Sequence, residues 1–254
     1  LNSKKYFILS FFFLTIILIN GCSSSGGSDI KTDDPNKAYD IAKRKFDRAD
    51  YVSAIEDFSF IKIKFPGTEQ SDKIEYYLAE SYYLRGEHLL AAYEFETFLK
   101  NYPLSSLFPD AKYGLGLSYY KLSPKYPLDQ EYTRYAITEL QGFTELYPND
   151  KNVPEATNRL KELKDKLAFR DFKTAELYMK LNDYRSAAIY YKNVYENYID
   201  SDWADDAMLG HAEALINSKK NDEALKVLDK FYKLFPKSGL KSKADNLRSI
   251  AKNG

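Results

Sequence analysis

Among 254 residues there is one cysteine, one tryptophan, two histidines and two methionines. A lone cysteine excludes an intrachain disulfide. With two histidines it also leaves little material for a metal centre or a nucleophilic site, and no metal-ligand spacing or nucleophile–base–acid set can be traced. His88 opens a helix at a turn and reads as an exposed polar residue. His211 stands beside Ala212, where neighbouring segments carry Leu78 or Leu115, and reads as a packed helix residue rather than a base. Gly114 and Gly116 have no strand before them, so they are packing positions and not a phosphate loop. Lysine plus arginine (37) equals aspartate plus glutamate (37), so the basic stripe that nucleic acid requires is missing. These shortages lead to an expectation of no enzyme activity, no metal and no cofactor.

What is abundant is tyrosine, 23 of them, a side chain that packs its ring while its hydroxyl stays wet. The first 22 residues are of another kind. Lys4 and Lys5 precede an almost wholly apolar run over 6–19, followed by Asn20, Gly21 and Cys22. A charged start and a short apolar stretch make a signal-peptide pattern, too short to span a bilayer comfortably. Ile19-Asn20-Gly21-Cys22 resembles a bacterial lipobox. Residues 1–21 are therefore expected to be a lipoprotein signal peptide and Cys22 the lipidated residue. Residues 22–35, with SSSGGS and then Asp29, Asp33 and Asp34, read as a flexible, solvated tether. Ser23 directly after the cysteine resembles lipoproteins directed to the outer membrane.

The remainder is organised around HLLAAYEFETFLKNYP, residues 88–103. Its apolar positions form a stripe at helical spacing, and Pro103 ends the helix. The phrase recurs at 51–66, 133–148, 184–199 and 221–236. Each copy has alanine fourth (Ala54, Ala91, Ala136, Ala187, Ala224) and a large residue four further on (Phe58, Phe95, Leu140, Tyr191, Leu228). Each has an aromatic fifteenth (Phe65, Tyr102, Tyr147, Tyr198, Phe235). Four end in proline; the fourth copy has Ile199. A second small column, Ala42, Ala79, Gly116, Ala175 and Ala212, precedes the first by one helix. Two small residues on consecutive helices let the backbones approach closely. The pattern resembles the tetratricopeptide repeat. That resemblance implies an all-α, right-handed solenoid of about five repeats over 36–254, at about 36–66, 71–103, 109–148, 155–199 and 203–236, with a C-terminal cap over 238–254. An insertion at 123–131 is expected to be an exposed loop, and 154–181 one long helix or two nearly collinear ones.

In the tetratricopeptide family two positions of each first helix face the concave groove, three residues before the small column and four after it. Here they hold Tyr39, Tyr76 and Tyr113, then Phe46, Tyr83 and Tyr120. Repeats 4 and 5 have Phe172, Met179, Leu209 and Ile216 there. Tyr39, Tyr76, Tyr83, Tyr113 and Tyr120 are accordingly candidate peptide-binding residues. The alternative is that the stripe is simply core.

A lipobox followed by about five such repeats, with AYDIAKRKFDRADYVSAIEDFSFIKIKFP first and RLKELKDKLAFRDFKTAELYMKLNDYRSAAIYYKNVYENY leading into the fourth, resembles the BamD family of outer-membrane assembly lipoproteins. The resemblance implies a lipid-anchored scaffold on the periplasmic side of the outer membrane of a Gram-negative-type bacterium. Its partners would be a BamA-like barrel-inserting protein and unfolded β-barrel precursors, with no nucleic acid and no small-molecule substrate. Repeats 4 and 5 and the long helix would be left for the inserting protein. Two other readings stay open: a periplasmic adaptor for cell-wall or division proteins, and a glycan-binding uptake lipoprotein. The former would carry a coiled-coil arm, the latter longer insertions than the one seen.

Overall fold

The computed structural model describes residues 27–253. The proposed signal peptide, Cys22 and the start of the tether lie outside the described residues. Among those described there are helices and turns but no strand. They fall into two compact units, one reaching to Ser71 and the other starting at Asp72.

The first unit holds α1 (Pro35–Asp47) and α2 (Tyr51–Lys64). Asp34 caps α1, its carboxylate accepting from the backbone N–H of Asn36 and Lys37, and Pro35 supplies the helical φ at the first position. Asp50 caps α2 through Ser53 N–H. The structure corrects the expected tether. Residues 28–34 lie on this hairpin: Ile30 is buried, Ser28 Oγ donates to Asp57 at 2.8 Å, and Lys64 Nζ reaches Asp33 at 2.8 Å. An isoleucine three residues after the glycine run has apolar surface to bury, which a composition dominated by Ser, Gly and Asp conceals.

The second unit contains α3 (Ser71–Arg85), α4 (His88–Asn101), α5 (Phe108–Leu122), α6 (Glu131–Leu146), α7 (Val153–Lys180), α8 (Tyr184–Asn197), α9 (Ala204–Asn217), α10 (Asn221–Leu234) and α11 (Lys241–Asn253). Both small columns are buried, and glycine is required where it stands opposite a ring or a branched chain. A Cβ on Gly114 would come within 2.5 Å of the Phe95 ring, and one on Gly116 within 2.7 Å of Leu140. Gly210 meets Tyr191 in the same way, at 2.6 Å. α7 is one uninterrupted helix. Its Leu160 and Leu163 join the core of α3–α6, while Ala168, Phe172 and Ala175 join that of α8 and α9.

Turns repeat as faithfully as helices. Between the helices of repeats 1, 2, 4 and 5, Ala49, Gly86, Asn182 and Lys219 take φ between 58° and 90°. Each stands five residues before its alanine column and closes the same pair of bonds, as in Glu87 N–H to Tyr82 O and Gly86 N–H to Tyr83 O. This is the Schellman ending of a helix. The fifteenth-position aromatics are the C-caps of the second helices, and Tyr198 caps α8 at the same register without a proline after it. Ring packing helps hold the register, as with Phe98–Tyr102 at 5.4 Å and Phe231–Phe235 at 5.9 Å.

The insertion is exposed over much of its length, as expected, but it is tied down from within. Gln130 is fully buried and donates to the carbonyls of Lys125 (3.0 Å) and Leu128 (2.8 Å), while accepting from Thr133 Oγ1 at 2.7 Å. Tyr126 seats its ring edge-on against Phe169 of α7, 4.7 Å away. The cap behaves as expected on its inner side, with Ala244, Leu247 and Ala251 buried, while Arg248 pairs with Asp229 of α10.

Candidate peptide-binding face

The five candidate tyrosines do not share one environment. Tyr39 is on α1 in the first unit, half-buried, its ring 6.3 Å from Phe58. The other four belong to α3 and α5 in the second unit. Tyr76 is half-buried and edge-on to Phe95 and Phe98, each at 6.0 Å. Tyr83 is half-buried and lies 5.3 Å from the ring of His88. Tyr120 is half-buried, with the Arg159 guanidinium 4.8 Å above its ring and its hydroxyl donating to Glu162. Tyr113 is buried, 9% exposed, with its ring 5.2 Å from Phe143. For Tyr113 the core alternative holds.

Helical spacing brings ionisable partners to the same face. Glu80 lies four residues after Tyr76 and three before Tyr83, so all three share a side of α3. Asp110 stands three before Tyr113 on α5. On α7, Glu155, Arg159 and Glu162 follow at intervals of four and three, and Arg159 pairs with both acids, at 3.4 and 3.3 Å. The Glu80 carboxyl is pushed up to about 7, by burial first and by the Asp110 charge second. Burial likewise pushes the Tyr76 and Tyr113 hydroxyls well above the usual phenol range. The face is therefore tyrosine-lined and acidic. Tyrosine spacing was visible in the sequence; the acids were not, because only the fold sets α7 beside α5.

The histidines take no part in a nucleophilic arrangement among the described residues. His88 is half-buried rather than exposed, packed on Tyr83. His211 is buried, its Nδ1 2.8 Å from the Tyr195 hydroxyl, and burial, followed by the Lys192 charge, holds its pKa down at about 4. The folded protein keeps this imidazole neutral, whereas the unfolded chain protonates it at about 6.5. Its contribution is thus complete above pH 6.5 and is lost as pH falls towards about 4. Thermal unfolding of the wild type is expected to drop more steeply across that window than that of His211→Leu. Equal slopes would refute the assignment.

Stacked antiparallel helix pairs with a small-residue seam and an aromatic face define a helical-repeat interaction scaffold of the tetratricopeptide class. A tetratricopeptide-repeat family model matches residues 206–238. The model of the YfiO family, described as outer membrane lipoprotein, matches residues 31–214. The chain belongs to that family of outer membrane lipoproteins. The outer membrane protein assembly factor BamD of Rickettsia prowazekii (strain Madrid E) is 23% identical over 219 residues, covering 86% of this chain and 87% of its own. That of Pasteurella multocida (strain Pm70) is 22% identical over 233 residues, covering 88% and 89%. Among solved structures, the TPR2AB domain of yeast Sti1 aligns at TM-score 0.43 and 15% identity, over 86% of this chain and 98% of that one.

Proposed function

We propose that this protein is a non-catalytic scaffold of the β-barrel assembly machinery, tethered by lipid on Cys22 to the periplasmic side of the outer membrane. In this reading it binds the barrel-inserting protein and receives unfolded barrel precursors. The observation that carries it is the family match across 31–214, together with relatives named as outer membrane protein assembly factors over most of their length. The cell-wall adaptor and glycan-binding readings have no comparable support.

Among the described residues no helix is long and apolar enough to cross a membrane, so attachment is assigned to the acyl chains, at about 0.8 kcal/mol per buried CH₂. Cys22→Ser is expected to move the protein from the membrane to the soluble fraction. Retention of that variant on protein-free vesicles would refute the anchor.

The two binding roles are assigned to different faces. Of the five candidates, Tyr76, Tyr83 and Tyr120 of the second unit are the proposed precursor side. A depression of about 490 Å³ on repeats 4 and 5, bordered by Arg185, Lys192, Lys220 and Ile189, is offered to the inserting protein. Because the rings of Tyr76 and Tyr113 pack on core phenylalanines, Tyr83→Ala with Tyr120→Ala is the cleaner test. That pair should weaken photocrosslinking to precursor peptides several-fold and leave co-purification with the inserting protein unchanged. Tyr184→Ala with Arg185→Ala should do the reverse. A parallel fall of both interactions in either variant would overturn the division.

A further inference from the structure

Where α5 ends beside α7, a depression of about 220 Å³ is lined by Tyr120, Lys121, Ser123, Glu162, Leu163 and Lys166. It shares Tyr120 with the tyrosine face, yet its unpaired charge is positive. Lys166, half-buried on α7, donates from Nζ to Ser123 Oγ at 2.7 Å. Thr133 gives its own proton to Gln130 Oε1, so the Ser123 hydroxyl donates to Thr133 and accepts from the lysine. The ammonium thus heads the chain of bonds that ties the insertion down. It has three N–H donors, and that chain occupies one. Glu162, the acid of the lining, is held by the Tyr120 hydroxyl and by Arg159. Burial holds the Lys166 pKa below the usual lysine range, and Glu162 offsets this only as a more distant charge. Lys121, exposed on the rim, has no acidic partner among the described residues.

We infer that this depression seats one acidic side chain, a glutamate or aspartate of the unfolded segment that the tyrosine face holds, with its carboxylate on Lys166 and Lys121. The inference rests on the precursor-binding reading above and adds a preference within it. A half-buried cation without a counter-ion is costly. A carboxylate placed beside it recovers Coulomb energy in surroundings that salt screens weakly. It also accepts from the donors that Ser123 leaves over, in bonds stronger than a neutral amide oxygen makes. A cationic segment would be repelled by both lysines. An apolar segment would cover the ammonium and leave its donors unmet. A chain terminus would bring its last side chain into the same space, where Leu163 is the one aliphatic residue of the lining.

The charges along α7 leave room for such a ligand. Arg159 pairs with both Glu155 and Glu162, and its guanidinium lies over the Tyr120 ring at 4.8 Å. Those two acids are therefore answered within the chain. Lys121 and Lys166 are not, so at this end of the face the cations outnumber the anions. A carboxylate that enters completes the pairing without displacing a bond already made.

The test uses the full chain in detergent and fluorescent, C-terminally amidated peptides from an unfolded barrel precursor. A single glutamate is placed at each position in turn, and every peptide has a glutamine counterpart. At a favoured position the glutamate peptide is expected to bind about tenfold tighter, the scale of one hydrogen bond to a charged group. Lys166→Gln, which keeps an N–H for Ser123 but no charge, should bring that peptide down to the affinity of its counterpart. Circular dichroism checks the folding of the variant, and the comparison of peptides on wild type needs no variant. Equal affinities at every position would overturn the inference and leave precursor binding standing. Binding of no peptide would overturn both. A glutamate preference that survives in Lys166→Gln would place the acid elsewhere and overturn the assignment. If instead the free-acid form of a glutamine peptide gained the same factor, and lost it in Lys166→Gln, a chain terminus would occupy the depression and the choice of a side chain would be overturned.

Discussion

Lys45→Met is expected to destabilise the first helical hairpin by about 3–5 kcal/mol, the cost of leaving a buried carboxylate without its counter-charge. Asp57, on α2, is fully buried, and Lys45 Nζ of α1 lies 2.7 Å from its Oδ2. Ser28 Oγ donates to Oδ1 at 2.8 Å. Removing the ammonium leaves Asp57 in place, so the penalty is the desolvation of a single charge. Replacing both partners, Lys45→Met with Asp57→Leu, should recover most of the loss, since a buried ion pair is seldom more stable than an apolar pair of similar volume. Because an array is held by neighbour contacts, the readout should be local. Amide hydrogen exchange in α1 and α2 is expected to accelerate in the single variant and return towards wild type in the double. Unchanged exchange in Lys45→Met would mean that Asp57 is not buried as described.

Phe95→Ala is expected to cost about 3–5 kcal/mol, the usual range for a buried phenylalanine that leaves a cavity. Phe95 is fully buried on α4 and rests on the bare backbone of Gly114 in α5. Three ring atoms lie within 3.0 Å of where a Gly114 Cβ would stand, so the two positions are matched in size. Gly114→Ala alone should also destabilise, by overpacking of about 1–3 kcal/mol, offset by roughly 1 kcal/mol of helix propensity. In the double variant the new methyl enters the space that the ring vacates. Its loss should therefore be smaller than the sum of the singles by more than about 0.5 kcal/mol, the limit of ordinary additivity. Strict additivity in denaturant unfolding would show that these residues are not in contact, and with that the packing of α4 on α5 would be wrong.

The repeat register was legible because it is written in local terms. Alanine fourth, a large residue eighth and an aromatic fifteenth recur in each copy, and proline marks helix ends; the left-handed residue five before the alanine emerged only from the backbone angles. The family resemblance drew on the same columns. One segment was misjudged by composition. Residues 28–34 look like linker, yet Ile30 and Ser28 dock on the first hairpin. The insertion is largely exposed, as its composition suggests, and what composition does not show is that Gln130 ties it together from inside. In both segments a single side chain among polar neighbours makes the contact, and a composition average does not register it.

Helical periodicity alone determined which residues lie on one side of each helix: Tyr76 with Glu80 and Tyr83, and Glu155 with Arg159 and Glu162. What only the tertiary structure decided is which of those sides meet. Tyr113 turns its ring onto Phe143 and becomes core, while Tyr83 and Tyr120 stay half-open. Asp110 comes to Glu80 from another helix, and Lys45 to Asp57 across a hairpin. The physical reason is range. Periodicity is a property of a single helix, whereas burial and the pairing of charges are set by distances between helices, which depend on how every small and large residue along the seam interlocks.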